Sequence, residues 1–101
     1  MNKIISDKID IIKKICKKYK VKELYVVGSV VSDNFTPVSD IDFLIKFDDI
    51  SIKEYTDNYF ELHQIFNQIF NRNIDLITDK SLKNPFFTQS INASKQLIYA
   101  S

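Results

Sequence analysis

Asp40 and Asp42 stand two residues apart at the head of an apolar run that continues through Phe43, Leu44 and Ile45. In an extended chain alternate side chains share a face, so the two carboxylates point the same way with their backbones roughly 6–7 Å apart. Unpaired acids at the mouth of a buried strand suffer both desolvation and mutual repulsion. No lysine lies shortly before the pair to offset this. A divalent cation is the better candidate, because Mg²⁺ takes carboxylate oxygens together with substrate phosphates. A third acid, Asp75, sits in a second apolar run, Asn73 to Thr78 (N-I-D-L-I-T). If the two runs are neighbouring strands, the three acids converge. Such a set can hold two metal ions about 3.5–4 Å apart, the arrangement that stabilises attacking and leaving oxygens in phosphoryl or nucleotidyl transfer.

Gly28 and Ser29 supply a complementary feature. Gly28 is the only glycine and follows an apolar stretch ending at Val27. A turn or helix start at that point presents free backbone N–H groups to an anion. Glycine lets a phosphate approach the backbone, and the serine hydroxyl can donate to it. Ser39, just before the acids, is a further nucleotide-binding candidate that could orient the metal site; the competing role is turn chemistry at the start of the strand. Gly-Ser alone and Asp-x-Asp alone are weak signals. Their coincidence, with ten residues between Ser29 and Asp40, is specific.

The elements that must position these residues alternate between helix and strand. Ser6 is expected to cap a helix to about Tyr19, with Ile5, Ile9, Ile12, Cys16 and Tyr19 on its inner stripe. Cys16 is therefore core rather than nucleophile. Glu23 to Val27 reads as a short buried strand, and Ile41 to Phe47 as a second one, apolar enough to lie mid-sheet. A loop or short helix over 29–37 joins them. A long helix is expected from Ser51 to about Asn71, with Ile52, Tyr55, Tyr59, Leu62, Phe66 and Ile69 as its stripe and His63 packed beside it. Asn73 to Thr78 is a third strand. Asn84-Pro85 starts a helix ending near Ala93, and Gln96 to Ala100 is a fourth strand. Phe86, Phe87 and Tyr99 are read as core, with a partner surface as the alternative for some of them, since so short a chain has little core to fill. The pattern is one α/β (α+β) domain over 1–101, a small mixed β-sheet with packed helices.

Bulk properties narrow the class. With 101 residues, 45% hydrophobic and 27% charged, the chain has material for one core and no resemblance to a disordered segment. A single cysteine excludes an internal disulfide, and there is no zinc-ligand spacing. No stretch reaches the roughly 20 apolar residues of a membrane span, which leaves the cytoplasm as the expected location. Net charge is +1, with eight lysines in the first 22 residues. These read as the solvated face of the first helix. Thirteen lysines against one arginine, Arg72, disfavour direct nucleic-acid binding, where bidentate contacts favour arginine.

Gly28-Ser29, ten residues, then Asp40-Ile41-Asp42, with Asp75 on a later strand, resembles the polymerase-beta-like nucleotidyltransferase superfamily. The short length, the S-D-I-D-F-L-I wording and the ending L-K-N-P-F-F…L-I-Y-A resemble its smallest members. These are the minimal nucleotidyltransferases found as antitoxins beside a HEPN-domain toxin. The resemblance implies the polymerase-beta-like fold, ATP as substrate and two Mg²⁺ ions. It assigns triphosphate binding to Gly28 and Ser29, and metal binding and catalysis to Asp40, Asp42 and Asp75. It further implies AMP transfer to a tyrosine of the HEPN-type partner, and a hetero-oligomer with it.

One departure stands out. Relatives commonly read G-S-x-A-R-G, whereas here Ser32 replaces the arginine and Asp33 the second glycine. An acid near a triphosphate adds repulsion. A member of the fold that silences its partner by binding alone is therefore the competing function. Transfer to RNA or an antibiotic is a third, disfavoured by the lack of a visible substrate domain.

Overall fold

A computed structural model describes residues 2–28, 36, 38–82 and 84–101, the side chain of Phe87 excepted. It opens with two short helices rather than one, α1 over Lys3–Ser6 and α2 over Ile9–Lys18. The expected cap at Ser6 is a correction. Asn2 caps α1 through its side chain, accepting from the Ile4 N–H at 2.9 Å, while the Ser6 hydroxyl donates back to the Lys3 carbonyl. No side chain caps α2. The inner stripe survives the break: Ile5, Ile12 and Cys16 are fully buried, with Ile9 and Tyr19 packed against them. Burial pushes the Cys16 thiol up to about 12, which leaves it protonated and inert.

Strand β1 covers Val21–Val27 and begins two residues earlier than expected. β2 is Ile41–Phe47, α3 Ile52–Phe70, β3 Ile74–Thr78, α4 Pro85–Ser94 and β4 Gln96–Ala100, with a 3₁₀ turn at Asp79–Ser81 between β3 and α4. Sheet order is β3-β2-β1-β4, so β2 lies inside the sheet as its apolar content required. β1 runs antiparallel to β2 and β4, and β2 runs parallel to β3. Parallel neighbours need a long connection, and α3 provides it.

Strand alternation sends side chains to two faces, and both are covered. On one face α1, α2 and α3 enclose the main core, where Phe43 packs against Phe66 and Phe70 with ring centroids 5.1 and 5.9 Å apart. On the other, Val27 and Leu44 meet Ile91 of α4, flanked by Tyr25, Ile77 and Leu82. Two expectations fail here. Ile52 is 86% exposed and lies off the α3 stripe, in the first helical turn. Phe86 is 81% exposed, because the apolar work of α4 is done by Ile91; Tyr99 does pack on the main core, and the Phe87 side chain is outside the description.

Three side chains of α3, at successive four-residue steps, close the outer border of β3. The Tyr59 hydroxyl donates to the Leu76 carbonyl at 2.6 Å, His63 Nε2 meets the Ile74 carbonyl at 2.8 Å, and the Asn67 side-chain oxygen accepts from the Ile74 N–H at 3.0 Å. His63 is thus a packed, backbone-bonded residue. Burial first, then the charges of Asp75 and Tyr55, keep Tyr59 protonated and so able to donate.

α3 itself is delimited by Ser51, whose hydroxyl accepts from the Glu54 N–H, and by Asn71 in the left-handed region at φ 50°. Asparagine tolerates that conformation better than any residue but glycine. Asn71→Ala is expected to cost about 1 kcal/mol, read as a lower midpoint in urea, while Asn71→Gly holds or raises it.

Candidate active site

The parallel register of β2 on β3 pairs Asp42 with Asp75 directly. On its other side Asp42 is paired with Val27, the last residue of β1. Neighbouring strands lie about 4.8 Å apart, so the two carboxylates stand side by side at one end of the sheet. They point to the α4 face, since Leu44, two residues after Asp42, packs on Ile91. Together with Gly28, Val27, Ile77, Ser90, Ile91 and Ser94 they line a cavity of about 210 Å³.

Gly28 is held against Asp42. Its φ is +74°, and a Cβ there would run into Asp42 Oδ2, with Asp42 Cγ at 3.3 Å. Conformation and space both demand glycine. Asp42 is half-buried, and its carboxyl is raised from 3.8 to about 6 by burial, then by Asp75, then by Asp40. The site therefore carries excess negative charge at neutral pH.

Asp40 is exposed, precedes the first ladder residue of β2, and does not line the cavity. Its charge reaches Asp42 nonetheless. Among the described residues no three Asp, Glu, His or Cys side chains form a group that could hold a metal ion. The donors fit a hard cation in kind, being carboxylate oxygens only. Asp42 and Asp75 fit it in placement as well.

The Ser39 hydroxyl accepts from the Thr36 N–H at 3.0 Å and bonds the Thr36 hydroxyl, so it serves the turn before β2. Ser29, Ser32 and Asp33 lie outside the described residues, so the phosphate-side half of the expected motif is represented by Gly28 alone.

Two contributions escaped the sequence reading. Ser90 and Ser94 of α4 bring hydroxyls to the cavity, although the Ser94 hydroxyl already donates to the Ser90 carbonyl. Their i, i+4 spacing around the inward-facing Ile91 was the available signal. Arg72 donates to the backbone of the turn that leads to Asp40; as the lone arginine, just ahead of the third acid, it was conspicuous.

Residues 9–98 match the nucleotidyltransferase domain family. The chain belongs to this family. A relative from Methanocaldococcus jannaschii, named "Putative protein adenylyltransferase", is 40% identical over 88 residues, spanning 86% of this chain and 85% of its own. A second of that name from the same organism is 37% identical over 101 residues, 96% of this chain and 98% of its own. Among solved structures, a toxin-antitoxin with AMP-PNP superposes with a TM-score of 0.70 at 19% identity, covering 92% of this chain and 73% of that one. A chain of the complex between a tri-AMPylated Shewanella oneidensis HEPN toxin and an MNT antitoxin gives 0.65 at 17%, with 95% of this chain and 72% of that one covered. At such identities the likeness is one of fold. No helix among the described residues is long and apolar enough to cross a membrane.

Proposed function

We propose that this chain is a Mg²⁺-dependent protein adenylyltransferase. It moves AMP from ATP to a tyrosine hydroxyl of a HEPN-type toxin and so acts as its antitoxin, in a cytoplasmic hetero-oligomer. The observation that carries the reading is the direct pairing of Asp42 with Asp75 against the Gly28 turn. Two acids beside a phosphate-accepting backbone make sense only if cations and a polyphosphate join them. The relatives' names agree with the activity, and the toxin-antitoxin neighbours with the partner.

In this reaction the tyrosine oxygen bonds to the α-phosphorus, the bond from that phosphorus to the bridging β-phosphate oxygen breaks, and pyrophosphate leaves with the electron pair. Divalent metal would neutralise the triphosphate and hold attacking and leaving oxygens in line. Asp40 and Asp42 would hold both ions, and Asp75 the one nearer the acceptor. Asp75, which lines the cavity, would accept the phenolic proton. Gly28 and Ser29 would grip the triphosphate, with the Ser90 hydroxyl available to the nucleotide on the α4 side. The apolar floor of Val27, Ile77 and Ile91 keeps bulk water off one side of the carboxylates.

The substitution of Ser32 for the usual arginine favours a second reading, inhibition by contact alone. Mixing the protein with a competent HEPN toxin, ATP and Mg²⁺ separates the two. Mass increments of the toxin in AMP units, lost on adding EDTA, are expected from the enzyme. Toxin inhibition with an unchanged mass would establish the binder.

A further inference from the structure

Asp40 has a placement problem that Asp42 and Asp75 do not share. Those two are held in register by the β2–β3 ladder, whereas Asp40 lies before the ladder begins. Something else must fix the segment it sits on. One nitrogen of the Arg72 guanidinium, Nη1, donates to the Ser39 carbonyl at 3.0 Å and to the Thr36 carbonyl at 3.4 Å. These carbonyls bracket a turn closed by the Ser39 N–H on the Thr36 carbonyl at 3.1 Å and by the Thr36 N–H on the Ser39 hydroxyl. Two residues after Ser39, the Ile41 N–H donates to the Asn73 carbonyl at 3.1 Å. The entry to β2 is therefore stitched to the entry to β3 on both sides of Asp40.

We infer that Arg72 is a positioning residue for metal binding: it anchors the Thr36–Ser39 turn to the head of β3 and thereby sets where the Asp40 carboxylate stands relative to Asp42 and Asp75. The inference rests on the metal-dependent reading above and deepens it. A charged donor to backbone carbonyls is among the stronger hydrogen bonds. Arginine suits the task because the two N–H bonds of Nη1 are fixed in the guanidinium plane and reach both carbonyls at once, whereas a lysine ammonium rotates freely about its stem and holds no fixed direction. Asp40 and Arg72 should then act as one unit, since the arginine contributes through the acid and not by touching the ion.

The test is a double-mutant cycle read by Mn²⁺ affinity, measured by calorimetry or paramagnetic relaxation in the presence of ATP, with no toxin present. Arg72→Gln is expected to weaken Mn²⁺ binding roughly tenfold, within the range for residues that support a metal ligand. Arg72→Lys should restore little of it. In an Asp40→Asn background, Arg72→Gln should add almost nothing. Full additivity of the two substitutions, or wild-type affinity in Arg72→Gln, overturns the inference, as does full rescue by lysine, which would mean that charge alone suffices. Thermal melts accompany each variant; if Arg72→Gln fails to fold, the Lys variant carries the cycle. Wild-type protein that binds no Mn²⁺ would instead defeat the metal-dependent function itself, and is read separately.

Discussion

Replacing Asp42 by asparagine is expected to lower AMP transfer by roughly 10²–10³-fold, the scale on which removing one preorganised electrostatic group slows an enzyme, while leaving the protein folded and more stable. Both effects come from one feature. Asp42 is the half-buried acid of the set, its carboxyl raised from 3.8 to about 6 by burial, Asp75 and Asp40. In the unfolded chain it ionises near 3.9. Between those values the native state holds a proton that the unfolded state has lost, so stability falls as pH rises from about 4 to about 6 and stays reduced above that. The shift corresponds to an upper bound of about 3 kcal/mol; partial access to solvent reduces it to ~1–2 kcal/mol. Urea titrations should show Asp42→Asn gaining that amount over wild type at pH 7.5 and nothing at pH 3.5. Added Mg²⁺ with ATP should stabilise wild type, by roughly 2.7 kcal/mol at a hundredfold excess over Kd, and the variant hardly at all. Equal MgATP stabilisation of both proteins would contradict the assigned role.

Gly28→Ala is the second large effect, with the opposite sign on stability. A side chain at φ +74° costs about 1–2 kcal/mol in backbone strain, and the added carbon also collides with Asp42 Oδ2. Asp42 cannot retreat freely, since the ladder holds its backbone between Val27 and Asp75. Its carboxylate must rotate, which displaces one of the proposed metal ligands. The variant should therefore be less stable at every pH and lose MgATP affinity by roughly 10–100-fold, the scale seen when a ligand's orientation is disturbed. Wild-type affinity in a destabilised variant would restrict Gly28 to a structural role.

Much of this was legible in the chain, for stated reasons. β2 and β4 carry the bounds read from their apolar runs, and α3 starts and stops where Ser51 and Asn71 supply cap and left-handed turn. The acids were found because carboxylates are out of place at the heads of apolar strands. What sequence did not provide was long-range. Which strand neighbours which decides whether Asp75 meets Asp42, and that depends on the α3 crossover rather than on any local pattern. The same limit hid the cavity's α4 wall, because Ser90 becomes a site residue only after Ile91 docks on Leu44 and Val27. Local competition explains the N-terminal error: Asn2 and Ser6 could each cap, and Ser6 spends its hydroxyl on Lys3 instead. Ile52 and Phe86 failed because period alone does not say which turn of a helix overhangs the sheet.

The α3 side chains along β3 have a bearing on how copies of the molecule meet. A strand approaching that border finds the Ile74 amide and the Ile74 and Leu76 carbonyls already engaged by Asn67, His63 and Tyr59. Sheet-to-sheet growth is therefore refused on the flank nearest the third acid, which leaves β4, at the opposite border of the sheet, as the strand on which crowded molecules could zip together.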